Sequence, residues 1–152
     1  YESIVPNPGA LTPEDSATLE ALKASPDTIS TLLEQYKFRA ASQEMMQLAR
    51  HGNKYLADEE PWKLIKTNPE RVATIMYTAI QVVAGLAILC EPFLPHTATK
   101  LRTMLNLSET LGWDAVGNTT LVPSGHNLGK AALLFEKIED EAITAQLEKL
   151  SS

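Results

Sequence analysis

Between Pro69 and about Glu91 the apolar residues Val72, Ile75, Met76, Ala79, Ile80, Val83, Leu86, Ala87 and Cys90 recur at helical spacing and fill more than half of a helix circumference. A helix that is hydrophobic nearly all round must be surrounded, so it is expected at the centre of the fold. The longest apolar run, Val72 to Leu89, also carries Thr74, Thr78, Gln81 and Gly85. Those residues favour a buried core helix over a membrane span, which needs about 20 predominantly apolar residues.

A central helix needs a shell, and the flanking sequence supplies it as helical patterns punctuated by proline. The opening "YESIVPNPGAL" is an irregular lead-in. Thr12 then offers an N-cap, Pro13 stands at the first helical position, and Asp15 follows three residues after the cap, with Leu19 and Leu22 as the apolar stripe. Ser25-Pro26-Asp27 marks a second helix start, continued by Ile29, Leu32, Leu33 and Tyr36. Phe38, Ala41, Met45, Leu48, Gly52, Tyr55 and Leu56 carry the next stripe, and a break near Lys37 is left open because its neighbours tolerate helix.

Pro61 ends that pattern, since a proline disfavours helical geometry in the residue before it. "PWKLIKT" can form one turn, and Asn68-Pro69-Glu70 caps the central helix. Beyond Pro92 and Pro95 a helix turns Leu101, Met104 and Leu105 inward, and "LGWDAV" is a short helical turn. A loop-rich stretch with room for an extended piece precedes a last amphipathic helix, "KIEDEAITAQLEKL". The expected fold class is all-α, a helix bundle with short loops. At 152 residues the chain suits one domain, residues 1–152, whose folding buries roughly 70% of the extended surface.

The sequence offers little to catalysis. His51, His96 and His126 are far apart and have no second His or Cys at ligand spacing, so no metal site is expected. No G-x-S-x-G, G-x-x-x-x-G-K-[ST] or G-x-G-x-x-G occurs. Asp58-Glu59-Glu60 and the acids of "IEDEA" read as solvated helix ends, and the four methionines as core filler. The single cysteine, Cys90, lies in "AGLAILC" and reads as a small buried hydrophobe. With no signal-peptide pattern at the N-terminus, a reducing cytoplasm and no membrane are expected.

Charge is the feature that points elsewhere. The formal net charge is −6, which argues against a stand-alone domain with a wholly basic surface. Between Lys37 and Arg71, however, seven cations face five acids, a local +2 that leaves −8 for the rest. Inside that region Trp62 follows Pro61, is flanked by Lys63 and Lys66, and is preceded one helix back by Arg50, His51, Asn53 and Lys54. A flat aromatic face among cations and amides suits single-stranded RNA, whose bases stack on aromatics while its phosphates meet lysine and arginine. On residue types alone Trp62 is more at home as a plug between two helices.

At this point the sequence resembles a known family. "ARHGNKYLADEEPWKLIKTNPE", followed by the long helix ending "LAILCEPFLPHTATKLRTMLNL", is similar to the C-terminal α-helical anticodon-binding domain of bacterial methionyl-tRNA synthetases, class I aminoacyl-tRNA synthetases. The shared pattern is N-[KR]-Y, a few polar residues, P-W, a long helix and P-[FV]-[LM]-P, and the later "LGKAALLFEKIEDE" fits the family's closing element. The resemblance runs from about Leu11 to Leu150. Valine, leucine and isoleucine synthetases share the P-W and P-x-x-P plan, so they remain alternatives, as does a helical protein-interaction domain anchored at the Trp62 junction.

The resemblance implies a helix bundle of the class I anticodon-binding type and a division of labour. Signatures resembling H-I-G-H and K-M-S-K-S are missing here, so ATP, and the family's zinc, are expected only in a catalytic Rossmann domain outside this chain, and the chain alone is expected to be inactive. The family's Asn and Arg, four residues apart on the first helix of the domain, are expected before Tyr1. The implied partners are the anticodon loop of tRNA(Met) and the catalytic domain of the same protein. The family's base-stacking tryptophan corresponds to Trp62, which implies stacking on the first base of the CAU anticodon. Around it, Pro61, Asn53, Arg50, Lys54, Lys63 and Lys66 are candidate contacts, the cations for phosphate, while Asp58 or Glu59 could accept from the cytosine amino group. Asn53 and Tyr55 have a structural alternative, tying the long helix to its neighbour.

Overall fold

The computed structural model describes residues 3–108, 110–117 and 120–150. Among the described residues six α-helices follow one another: α1 (Pro13–Glu34), α2 (Phe38–Glu59), α3 (Pro61–Leu64), α4 (Pro69–Leu89), α5 (Pro95–Leu105) and α6 (Asp140–Leu150), with a 3-10 turn at Trp113–Ala115 between the last two. As its apolar circumference requires, α4 is the axis: α1, α2, α3 and α5 all pack on it, and α1 packs along α2. It is long and apolar enough to cross a membrane, but most of its apolar stretch is covered by the other helices. Ile88 and Leu89 of α4 share one fully buried cluster with Leu22 and Ile29 of α1, each side chain stabilising the fold by about 1.5–3 kcal/mol.

The α1–α4 approach depends on a missing side chain. A Cβ on Gly85 would lie 2.3 Å from Leu22 Cδ1, so a larger residue there would force the Leu22 side chain to move. Among the polar residues of α4, Gln81 is fully buried and acts as a surrogate strand. Its Nε2 donates to the Val122 carbonyl at 2.7 Å and its Oε1 accepts from the Val122 amide at 3.0 Å. That pair fastens the loop-rich stretch to the core. The lead-in is fastened to the same stretch by Val5 N to His126 O, Gly125 N to Val5 O and Leu128 N to Ser3 O, around an isolated Ile4–Asn127 bridge.

Several expectations need correction. Pro26 does not start a second helix: α1 runs through it, with Pro26 buried in its interior. A proline there leaves one intrahelical donor missing. Packing outweighs the loss, since the Pro26 carbonyl accepts from Trp113 Nε1 at 3.4 Å. The break near Lys37 is real, because Tyr36 adopts φ 57° and the chain reverses before Phe38. Tyr36 and Phe38 are therefore not core residues. They are 81% and 59% exposed and stack edge to face at the hairpin tip, their centroids 6.2 Å apart. Met46 is likewise exposed although Met45 is buried. The described side chains of α6 are all exposed, including Ile143, Leu147 and Leu150, so the last helix has the expected amphipathic pattern without a place in the packed bundle.

Candidate nucleic-acid interface

The ground under Trp62 is a buried ion network. Thr12 and Asp15 form the expected capping box at the start of α1, Thr12 N donating to Asp15 Oδ2 at 2.9 Å. The fully buried Asp15 carboxylate also accepts from Tyr55 Oη of α2 and, in bidentate fashion, from Arg71 Nη1 and Nη2 of α4. Arg71 Nη2 donates in addition to Glu59 Oε2 at 2.7 Å. One arginine thus ties the beginning of α1, the end of α2 and the beginning of α4 to one another.

Each titration is displaced in the direction this arrangement demands. Burial would raise Asp15, but the hydrogen bonds from Arg71, Tyr55 and Thr12 outweigh it and hold the carboxyl below its ordinary 3.8. Burial and the Asp15 carboxylate push the Tyr55 phenol well above its ordinary 10.0. The Asp15 and Glu59 carboxylates push Arg71 up, so it stays charged despite its own burial.

Above this network the chain turns sharply from α2 into α3. Glu60 sits in the left-handed region at φ 45°, costing about 1–2 kcal/mol for an L-residue, and Pro61 follows at the first position of α3. Pro61 is buried, so its ring faces the core and is not surface. Trp62, the next residue, is 60% exposed. The turn ends at Asn68, whose Oδ1 accepts from Arg71 N at 3.1 Å and caps α4. Trp62 is therefore presented on a four-residue helix fixed by proline at its start and by a capped helix just beyond its end. The other tryptophan contrasts with it, since Trp113 is partly buried against the core.

The candidate cations divide. Lys54 pairs with Asp58 and Lys63 with Glu60, both at 2.7 Å and on the surface, where a pair contributes only about 0–1 kcal/mol and exchanges readily for phosphate. Arg50 and Lys66 are exposed and make no ion pair among the described residues. On α2, Arg50 and Asn53 share the outward face, whereas Lys54 lies on the flank against α1 with His51 and Asp58. The six side chains other than Pro61 are all exposed, and Lys54, four residues after Arg50, lies beside it on α2 while pairing with Asp58.

The run Asp58-Glu59-Glu60 is not a simple solvated helix end. Asp58 and Glu60 are paired to lysines, and Glu59 is half-buried and committed to Arg71. One Glu59 oxygen, Oε2, is thereby taken up by Arg71. Tyr55 takes the structural role left open for it, while Asn53 stays on the surface. Sequence reasoning passed over Asp15 and Arg71 as supports of the site. One signal was available: a cation in the first turn of α4 opposes the helix dipole and needs a reason to be there.

Residues 5–152 match the family described as the anticodon binding domain of methionyl tRNA ligase. The chain belongs to this family. Over its full length this anticodon-binding domain is 52% identical to a methionine–tRNA ligase of Flavobacterium psychrophilum, and over 99% of it 55% identical to one of Phocaeicola vulgatus. The domain spans 22% of the length of each. The apo methionyl-tRNA synthetase of Mycobacterium tuberculosis has the same fold, with a TM-score of 0.83 and 23% identity over 90% of this chain and 28% of that one. The bundle of the class I anticodon-binding type is thus the observed fold, and the valine, leucine and isoleucine alternatives are not favoured.

Proposed function

We infer that this chain recognises the CAU anticodon loop of tRNA(Met) as one domain of a methionine–tRNA ligase, and that Trp62 stacks on an anticodon base. The observation that carries this reading is a tryptophan 60% exposed on a helix turn held by a buried ion network. A plug between helices would be covered. A fixed aromatic plane loses little freedom when a base lies on it, and one such stack contributes about 1–3 kcal/mol. Arg50, Lys63 and Lys66 supply charge for nearby phosphates, Lys63 after exchange from Glu60. Asn53 has an exposed amide for a base edge or ribose, and the cytosine amino group is left to backbone carbonyls or to Asp58 after exchange from Lys54.

Ligation of methionine to tRNA belongs to the remainder of a longer protein, together with its ATP and zinc chemistry. A docking site on that remainder is supported by the exposed apolar residues Leu133, Phe135, Ile138 and Ile143, which no helix of the bundle covers. The cytoplasm is the compartment that fits such a role.

The test is a fluorescence titration of this chain with an RNA hairpin carrying a CAU loop. Trp62→Ala is expected to weaken binding roughly ten to a hundredfold. Equal binding by wild type and variant removes the stacking role. Binding that ignores salt would favour a protein partner instead, because phosphate contacts release counterions.

A further inference from the structure

The outer face of α2 bears a stripe of Arg39, Gln43, Met46, Arg50, Asn53 and Ala57, spaced by alternating four and three residues and all exposed. It contains no acid, in a chain whose net charge is −6. The acids of α2 lie elsewhere: Glu44 and Asp58 line the flank against α1, and Glu59 is bound to Arg71. Neither Arg39 nor Arg50 makes an ion pair among the described residues, whereas Lys54, Lys63 and Arg71 do. Two of the local cations that make no ion pair among the described residues thus stand on one ridge.

We propose that this ridge is a track for an RNA backbone, continuing the anticodon-loop contact at Trp62 along the adjoining stem. The reading rests on RNA binding at Trp62 and extends it to Arg39 and Gln43. The ridge is about 27 Å long from Arg39 to Ala57. Trp62 follows Ala57 by five positions, so the near end of the ridge lies within ~18 Å of the stacking residue. Charge complementarity selects the occupant. Two unpaired guanidiniums, an amide pair and an acid-free surface suit phosphate and ribose hydroxyls, which is how paired RNA is held without reading its sequence. Contacts of this kind fix the register of the hairpin so that the loop arrives at Trp62.

The experiment compares wild type, Arg39→Gln/Arg50→Gln, Arg39→Lys/Arg50→Lys and Trp62→Ala in binding the CAU hairpin between about 50 and 200 mM salt. Circular dichroism melts confirm that each variant is folded. The glutamine pair is expected to bind about 25-fold more weakly near 0.1 M salt, fivefold for each lost phosphate contact, and to lower the slope of log K against log salt by about 1.4 to 1.8. The lysine pair, which keeps the charge, should retain the wild-type slope. Trp62→Ala should lose affinity with its slope intact.

An unchanged slope in the glutamine pair overturns the track while leaving the stack at Trp62 standing. A changed slope together with an inert Trp62→Ala removes the stack and keeps the track. Absence of hairpin binding by wild type overturns both. Competition by polyglutamate as effective as by RNA would assign the ridge to an acidic protein partner and overturn it as well.

Discussion

Arg71, in the first turn of α4, donates through both terminal nitrogens to the two carboxylate oxygens of Asp15, a fully buried residue in the first turn of α1. The two residues are 56 positions apart, and their pairing sets the spacing of two helix starts beneath the exposed Trp62. Removing one member of such a pair leaves a buried charge unmatched. Arg71→Met is therefore expected to cost about 3–5 kcal/mol in urea unfolding. Because the Trp62 turn sits on this network, the same variant should weaken hairpin binding although Arg71 touches no RNA.

The network also predicts how stability depends on pH. Asp15 is depressed in the fold, so its contribution is complete above the unfolded carboxylate value near 3.9 and is lost as pH falls through the lower folded value. Tyr55 is raised, so its contribution is complete below the ordinary 10.0 and is lost as pH climbs above it. Unfolding measured against pH should decline at both ends. Tyr55→Phe should remove the alkaline limb and, because Tyr55 also helps to hold Asp15 down, make the acid limb shallower, at a cost of about 1.5–3 kcal/mol near neutrality for the lost hydrogen bond to a carboxylate.

Gly85→Ala should destabilise the fold by about 1–3 kcal/mol, because the new methyl meets Leu22 and overpacking exceeds the gain in helix propensity. Adding Leu22→Val should recover part of the loss in the double variant. Thermal unfolding of the four-member cycle measures the coupling, and simple additivity would contradict the contact.

Gln81→Leu should strand the Val122 amide and carbonyl, at about 1–3 kcal/mol for each group left without a partner. Hydrogen exchange should accelerate at Val122 and its neighbours more than at the ends of α1 and α2. A uniform change along the chain would show that Gln81 supports the whole core rather than this one attachment.

The two tryptophans should separate cleanly. Trp62→Ala is expected to change stability by less than about 0.5 kcal/mol, as for an exposed side chain, while Trp113→Phe costs more because Trp113 packs on the core and donates to Pro26. In Trp113→Phe the remaining emission reports Trp62 alone, which acrylamide should quench readily and the CAU hairpin should protect.

Local rules account for much of what the sequence determined. Apolar periodicity placed α4 at the centre, and Thr12, Asn68 and the prolines at 13, 61, 69 and 95 marked helix boundaries, because caps and prolines act within one turn of themselves. The same locality made the P-W junction and its excess of cations visible. What only the tertiary structure decided depends on residues distant in sequence. Pro26 stays inside α1 because partners far along the chain bury it and bond its carbonyl, overriding a local propensity. Tyr36 and Phe38 match a helical pattern yet end at a hairpin tip with no neighbour to cover them. The acids beside Trp62 looked free until Arg71, from the next long helix, claimed Glu59. Whether Trp62 was a plug or a platform turned on the same physics. Its exposure goes with how α3 packs on α4, and no single helix encodes that arrangement.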